Sequence, residues 1–149
     1  TRFRNVTGVQ TCALPILDLS DSVRFVGKVS YSKLPDYLSV GDLFAMPARS
    51  RLFGLEVEGL GIVYLEAASC GLPVIVGNSG GAPDTVINEK TGFVVDGNNI
   101  DEIVRRATFL LRNRNIRQKM GAAGVKFAFE EWRLQIWSER FNQLIKGKA

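Results

Sequence analysis

The stretch Glu58-Gly-Leu-Gly-Ile-Val-Tyr-Leu-Glu66 runs from a glycine loop directly into an apolar segment, with a carboxylate at each end. Gly59 and Gly61 let the backbone turn tightly and approach a ligand closely, because neither has a Cβ atom. Residues 62–68 are predicted to form a helix, whose free N–H groups then point back into the loop. Such a helix N-terminus is a binding site for a phosphate or another anion.

Glu66 lies among apolar residues of this predicted helix, and a carboxylate in such surroundings needs hydrogen-bond donors. It accepts up to about four hydrogen bonds, of which the diol of a ribose would supply two. The alternative is structural, because glycine-rich turns are common between strands and helices and the helix dipole favours a glutamate in the first turns. The nine residues alone do not decide between the two interpretations.

The composition is that of one globular domain. The chain has 149 residues, 46% of them hydrophobic and 23% charged, which is enough for a single core. No apolar run reaches the ~18 residues that a membrane-spanning helix needs. The net charge of +4 includes basic residues near both ends, and no basic face with interleaved aromatic residues is visible. We therefore expect no membrane span and no nucleic-acid partner.

The residue types that carry chemistry exclude several kinds of site. The chain has no histidine, which excludes a histidine general base and a histidine metal site within it. It has no Asp-x-Asp pair, so a divalent-metal site of that type has no support, and we expect no metal or cofactor. The two cysteines, Cys12 and Cys70, indicate no disulfide framework and are typical of a reducing, cytoplasmic compartment.

Residues 1–16 differ from the remainder of the chain. They show neither helical nor strand periodicity, and residues 6–16 match one translated frame of a common sequencing adaptor. We interpret residues 1–16 as a non-native assembly scar and exclude them from the fold prediction. The alternative is a genuine but irregular or disordered N-terminal arm.

From residue 17 onward, short apolar runs alternate with segments of helical periodicity. The predicted strands are residues 23–26, 42–47, 72–76 and 91–95, and the predicted helices are residues 33–39, 62–69, 82–87, 100–112, 115–121 and 129–145. This alternation predicts an α/β domain over residues 17–149, with a partial Rossmann-like parallel sheet and helices on both faces. Ligands of such sheets bind beyond the carboxyl ends of the strands, where the loops 27–31, 47–60 and 77–81 would open onto one edge.

With these features in place, residues 23–111 resemble the nucleotide-sugar-binding C-terminal half of retaining glycosyltransferases with two Rossmann-like domains, the GT-B architecture. Glu58 and Glu66 match the two glutamates, separated by seven residues (E-x7-E), that are the signature of this family. The blocks at residues 25–28, 45–47, 71–74 and 79–83 match in the expected order. Residues 46–51 and 57–67 are similar, more narrowly, to the GDP-mannose-dependent phosphatidylinositol mannosyltransferases of actinobacteria.

The resemblance implies roles for the residues of the loop. Glu66 would hold the ribose hydroxyls of the nucleotide, and Glu58, the catalytic candidate, would lie near the donor sugar. The donor-binding backbone groups would come from Gly59, Leu60, Gly61 and Ile62, and the turn from Gly27 to Val29 would border the base. The expected donor is GDP-mannose, bound without a metal.

The implied reaction is transfer of a hexose from a nucleoside diphosphate sugar to an acceptor hydroxyl, with retention of configuration. Stabilising the departing diphosphate would be the main contribution of the protein, and Arg49 or Arg51 would add positive charge to the helix N-terminus. The alternative for these two arginines is a solvated loop face, which is the usual location of arginine.

The resemblance also implies that this chain is a fragment. Its first strand and helix units, and the N-terminal domain that binds the acceptor lipid or glycan, would lie outside it, so the fragment alone is expected to be inactive. The full-length protein would be cytoplasmic, with peripheral association at the inner face of a membrane. Trp132 and Trp137 would either pack on this domain or, together with the last helix, brace the N-terminal domain.

Other functions are compatible with this fold. A sugar-nucleotide epimerase would need a histidine-rich active site, and a phosphorylase would need a lysine that carries pyridoxal phosphate in a matching motif; neither is visible. A non-catalytic Rossmann-like nucleotide-binding module is the third possibility, and it differs from an enzyme in not depending on Glu66.

Overall fold

The computed structural model of the protein describes residues 21–147. The chain divides into two compact units, Thr1–Tyr31 and Ser32–Ala149. The first unit contributes only residues 21–31 to the described part, so the interpretation of residues 1–16 lies outside it.

The strand predicted at residues 23–26 is wrong. These residues have no regular secondary structure, and Val23, Phe25 and Val26 are all exposed. A strand exists only through backbone hydrogen bonds to a neighbouring strand, and no other segment of the described chain pairs with this run. Gly27, which follows it, has a left-handed backbone with φ of +77°.

The second unit contains the remaining predicted strands and helices. In chain order they are α1 (Leu34–Ser39), β1 (Phe44–Met46), α2 (Ile62–Ser69), β2 (Val74–Gly77), β3 (Gly92–Val95), α3 (Ile100–Arg112), α4 (Arg114–Glu131) and α5 (Leu134–Ile145). Short 3-10 helices occupy Tyr31–Lys33, Leu52–Gly54 and Ala82–Thr85. The predicted alternation of strands and helices is therefore confirmed from residue 32 onward.

The three strands form one parallel sheet in the order β1-β2-β3. β2 is buried along its whole length, as its continuous apolar run predicts for a sheet covered on both faces. Val74 and Val76 pack with α2 on one face, whereas Ile75 packs with Leu110 of α3 on the other. The predicted α/β class, with a partial parallel sheet and helices on both faces, is confirmed.

The two C-terminal helices differ from their predicted bounds. α4 continues ten residues past the predicted end at residue 121, to Glu131. The predicted end at Gly121 is wrong, because this glycine lies inside the helix against the backbone of Gly71. The helix predicted over residues 129–145 is wrong in its start, since Arg133 has an extended backbone (φ −65°, ψ 138°) and α5 begins after it.

The structure bears on the first interpretation of the last helix, that its tryptophans pack on this domain, whereas bracing of another domain stays a prediction. The rings of Trp132 and Trp137 lie 5.3 Å apart at the α4–α5 corner, and Trp137 Nε1 donates to the Glu131 carbonyl oxygen at 2.9 Å. Farther along, α5 leaves large apolar side chains exposed; they include Leu134, Phe141, Leu144 and Ile145. The two tryptophans therefore pack on this unit, while the rest of the helix presents an open apolar surface.

Two glycines of α4 offer a matched test of this packing. Alanine at either position should stabilise an isolated helix by about 1 kcal/mol. At Gly121 the added Cβ would collide with the carbonyl group of Gly71, whereas at Gly124 it would lie 3.4 Å from the Cβ of Ala68, an ordinary contact. We expect Gly121→Ala to lower the free energy of unfolding by about 1–3 kcal/mol and Gly124→Ala to leave it unchanged or raise it. Denaturant unfolding of the two variants measures this, and equal stability would contradict the packing.

Candidate functional site

Three loops meet at the carboxyl edge of the sheet. They follow β1, β2 and β3, and their backbones approach so closely that side chains do not fit between them. A Cβ atom added at Gly97 would lie 2.7 Å from the Pro47 carbonyl oxygen, and one at Gly77 would collide with the backbone of Ala48. The predicted meeting of the loops 47–60 and 77–81 at this edge is confirmed.

The loop that carries the two glutamates is held by the turn after β2. The Glu58 N–H donates to the hydroxyl oxygen of Ser79 at 3.1 Å. In return, the Gly81 N–H donates to the carbonyl oxygen of Gly59 at 2.8 Å and to that of Glu58 at 3.3 Å. Gly80 has no room for a Cβ because the Glu58 carbonyl group lies against it. The backbone of residues 58–59 is therefore fixed from one side.

The start of α2 is a turn that only glycine can make. Gly61 is the N-cap residue and is left-handed, with φ of 71°. A Cβ at this position would also collide with the ring of Tyr64 and would lie 3.5 Å from Cγ of Glu58. No side chain of the described chain caps the helix. The N–H groups of Ile62 and Val63 donate to no described residue, whereas the Tyr64 N–H donates to the Gly61 carbonyl oxygen at 3.0 Å. A helix start of this kind can bind an anion, and its use by a ligand stays a prediction.

The two glutamates lie on either side of this turn. Glu58 and Glu66 are both half-buried, and Glu66 follows Ile62 by one helical turn. Neither carboxylate makes a hydrogen bond or an ion pair with any residue between 21 and 147. A half-buried carboxylate without a donor is costly. Both acceptors are therefore available to a ligand.

Each carboxylate acts on a neighbouring side chain. Burial, and after it the negative charge of Glu58, raises the pKa of Tyr64 to about 12. Burial, and after it the charge of Glu66, raises the pKa of the Cys70 thiol. Tyr64 is fully buried, and its hydroxyl donates to the Met46 carbonyl oxygen at 2.8 Å. Its neutral hydroxyl therefore ties α2 to the end of β1 beside Glu58.

The two arginines of the loop are both bound at the protein surface. Arg49 Nη1 donates to Oδ1 of Asn98, in the loop after β3, at 3.3 Å. Arg51 Nε lies 3.7 Å from a carboxylate oxygen of Glu56, with both side chains exposed. Neither contact reaches Glu58 or the start of α2, and the assignment of these arginines to a ligand stays a prediction.

An apolar groove of about 590 Å³ runs beside the start of α2. Its lining residues come from the loop, α2, the 3-10 helix Ala82–Thr85 and the α4–α5 corner, and are Leu60, Ile62, Leu65, Asp84, Trp132, Leu134 and Trp137. Leu60 and Ile62 therefore contribute side chains to this groove. Any part that these two residues have in binding an anion falls to their backbone N–H groups.

Comparison with known proteins identifies the family. Residues 14–127 match the family described as glycosyl transferases group 1, which is more than half of the chain. The chain belongs to this family. The group 1 glycosyltransferase assignment confirms the resemblance drawn from the two glutamates and the flanking blocks.

Two relatives have specific names. A GDP-mannose-dependent monoacylated alpha-(1-6)-phosphatidylinositol monomannoside mannosyltransferase from Corynebacterium glutamicum is 46% identical over 131 residues, or 88% of this chain and 34% of that protein. A GDP-mannose-dependent alpha-(1-6)-phosphatidylinositol monomannoside mannosyltransferase from Mycobacterium tuberculosis is 44% identical over 129 residues, or 87% of this chain and 34% of that protein. The chain thus spans about a third of the length of these relatives.

Solved structures agree with the fold. Sucrose-phosphate synthase from Thermosynechococcus elongatus superposes with a TM-score of 0.81 at 25% identity, over 93% of this chain and 33% of that one. A glycosyltransferase from Rickettsia africae superposes with a TM-score of 0.84 at 19% identity, over 99% and 38%. At 19% identity, the similarity to the Rickettsia africae structure shows the fold alone. That fold is the α/β GT-B fold that the sequence predicts.

Two predicted base-binding residues, Gly27 and Val29, belong to the first unit of this group 1 glycosyltransferase. No atom lies within 4 Å of a Cβ built on Gly27, and Val29 is half-buried. Their role stays a prediction. Within residues 21–147, no three histidine, cysteine, aspartate or glutamate side chains are grouped as they would be around a metal ion. The same part of the chain has no helix long and apolar enough to cross a membrane.

Sequence reasoning missed two residues that shape the site. Tyr64 lies between the glutamates and looks like any apolar position of the helix, and only its buried hydroxyl reveals its contact with β1. Ser79 is 21 residues away from Glu58, and no local pattern links the two. The available signal was the pair Gly80-Gly81 after a buried strand, which indicates that another backbone lies close.

Tyr64→Phe tests the tie between α2 and β1. Loss of the hydrogen bond should lower the free energy of unfolding by about 1–2 kcal/mol. The folded chain raises the pKa of Tyr64 from 10.0 to about 12. The resulting stabilisation is therefore complete below about pH 10 and lost as the pH rises to about 12. Denaturant unfolding between pH 10 and 12 should show that the free energy of unfolding falls less steeply with pH in Tyr64→Phe than in the parent. Tyr37→Phe, a change at an exposed residue of α1, should show the same pH dependence as the parent. Parallel curves for parent and Tyr64→Phe would contradict the assignment.

Proposed function

We propose that this chain is the donor-binding part of a retaining hexosyltransferase that transfers mannose from GDP-mannose to an acceptor hydroxyl. The observation that carries the proposal is the pair of unpaired, half-buried carboxylates, Glu58 and Glu66, beside the uncapped start of α2. The names of the relatives at 46% and 44% identity support mannose and GDP in particular.

Each part of the loop has a distinct role in this proposal. Glu66 accepts hydrogen bonds from the ribose hydroxyls of the nucleotide, and Glu58 acts at the donor sugar as the catalytic residue. The donor-binding N–H groups are those of Gly59, Leu60, Gly61 and Ile62, which face the sugar and the diphosphate. Gly27 and Val29, on the turn after the first apolar run, border the base.

The chemistry follows from where charge develops. The bond between the anomeric carbon and the diphosphate oxygen breaks, and the acceptor oxygen bonds to the same face of that carbon while its proton passes to the departing diphosphate. The departing diphosphate gains negative charge, and N–H groups already oriented at a helix N-terminus stabilise it without reorganisation. Arg49 and Arg51 would assist by leaving their present surface partners. No metal ion is required in this scheme.

The acceptor is proposed to be a phosphatidylinositol-type glycolipid, or another lipid or glycan, held by a part of the protein outside this chain. The full-length protein would be cytoplasmic and peripheral at the inner face of a membrane, without a nucleic-acid partner. The exposed apolar surface of α5 fits a helix that braces another domain. The chain alone is expected to bind donor weakly and not to turn over.

Substitution of Glu66 separates this proposal from a non-catalytic module and from another enzyme with the same fold. In the full-length protein, a thermal-shift panel of GDP-, UDP- and ADP-sugars should show the largest stabilisation with GDP-mannose. Glu66→Ala should weaken that binding by about tenfold to a hundredfold, because it removes hydrogen bonds to a charged group. Glu139→Ala, at an exposed position of α5, is the matched control and should bind as the parent does. Unchanged binding by Glu66→Ala would favour the module, and preference for another base would change the donor.

Glu58→Gln tests the catalytic assignment separately from binding. This substitution keeps the size of the side chain and removes its charge, so donor affinity should change little. The turnover number should fall by about a hundredfold or more, the usual effect of losing one oriented electrostatic group. Steady-state transfer kinetics, with donor affinity measured independently, give both values. Equal turnover by parent and variant would contradict a catalytic role for Glu58.

A further inference from the structure

Ser79 has a buried hydroxyl that contacts both ends of the segment from Ser50 to Glu58, in the loop after β1. Its side chain is 2% exposed. Its Oγ accepts the N–H of Glu58 at 3.1 Å and lies 3.1 Å from Oγ of Ser50. Between Ser50 and Glu58 the chain makes an exposed hairpin, closed by backbone hydrogen bonds between Arg51 and Glu56. One hydroxyl thus joins the base of this hairpin to the turn after β2.

The same turn sets the direction of the next peptide groups. The carbonyl oxygens of Glu58 and Gly59 accept from the Gly81 N–H. In a planar trans peptide the carbonyl and the following N–H point to opposite sides. The N–H groups of Gly59 and Leu60 therefore point away from the turn. Neither N–H donates to a described residue, so both are free for an external acceptor.

The Glu58 N–H is used differently from those two. Ser79 binds it, which removes it from the set available to a ligand and fixes the residue whose side chain lies beside Gly61. Without the hydroxyl, this half-buried N–H would lose its acceptor, and residues 58–60 would lose one of the two contacts that orient them. The hydrogen bonds from the Gly81 N–H to the carbonyl oxygens of Glu58 and Gly59 remain, but they do not hold the peptide group on the N-terminal side of Glu58.

We propose that Ser79 is a positioning residue for donor binding and transfer: its hydroxyl orients Glu58 and, through it, the N–H groups of Gly59 and Leu60. This inference rests on the proposed function of the same loop and adds a residue that touches no substrate. Ser50 supports Ser79 and has the smaller effect, because the Glu58 N–H keeps its acceptor when Ser50 is removed.

The test compares three variants of the full-length protein with GDP-mannose as donor. Ser79→Ala removes the hydroxyl that reaches the loop. Thr85→Val removes a hydroxyl of similar burial (1% exposed) that bonds only to the Ala82 carbonyl oxygen, within the segment after the same turn. Ser50→Ala removes the outer hydroxyl of the pair. Kinetics are measured well below the unfolding temperature of each variant, so that loss of stability does not enter the rates.

The expected result is a fall in kcat/KM of at least about tenfold for Ser79→Ala, the scale of a small misplacement of reacting groups. The fall should be smaller for Ser50→Ala, and Thr85→Val should stay within about twofold of the parent. Amide hydrogen exchange without ligand should be faster in Ser79→Ala at Glu58 and Gly81, whose N–H groups make the hydrogen bonds that hold the loop, and unchanged there in Thr85→Val, a readout that general destabilisation would not reproduce.

Two outcomes would overturn the inference, and they separate failure of the positioning role from failure of the proposed function. If the parent transfers mannose and Ser79→Ala is as active as Thr85→Val, Ser79 is structural only and the proposed function stands. If the parent neither binds nor uses any nucleotide sugar, the proposed function fails and the positioning role fails with it.

Discussion

The close approach of backbones at the carboxyl edge of the sheet is the constraint on which the site depends. At Gly77, Gly80 and Gly97, the chain passes so near another loop that even one methyl group would collide with it. Main-chain hydrogen bonds and the Ser79 hydroxyl then join the loops where they meet. Because backbone atoms have few degrees of freedom, such contacts fix the direction of N–H groups more firmly than side-chain packing does.

This constraint lets the molecule keep two carboxylates without partners. An unpaired acid normally rearranges toward the nearest donor or cation, but Glu58 is part of a fixed backbone and Glu66 is on a helix anchored by Tyr64. The Tyr64 hydroxyl is neutral at physiological pH, and burial together with the charge of Glu58 raises its pKa further. The two carboxylates thus have no partner among the described residues, which is what the proposed donor site would need.

The sequence predicts those parts of this arrangement that depend on residues close together in the chain. The buried strand at Leu72-Pro-Val-Ile-Val76, the glycine turn before α2 and the positions of both glutamates follow from apolar runs and glycine spacing. The short run at residues 23–26 was also predicted from its apolar residues, but it has no regular secondary structure, so the local pattern alone predicted a strand that does not form. Gly121 was taken for a helix end because its reason for being glycine is a contact with Gly71, fifty residues away in sequence. Ser79 was not predicted for the same reason: its partner is distant in the chain.

The charge balance at this edge explains why the donor site of the chain alone is expected to be weak. A diphosphate would arrive beside two carboxylates, and the positive charge available at the start of α2 is only about half an elementary charge. Arg49 and Arg51 are bound to Asn98 and Glu56 at exposed positions, where screening by water makes such contacts worth little. Releasing them would therefore cost little if a nucleotide sugar binds here as proposed. Even so, two flexible surface arginines on one loop neutralise a diphosphate less effectively than cations fixed on both sides of it would. A tight complex then requires positive groups from a second surface facing this edge, which fits a chain that spans about a third of its relatives' length.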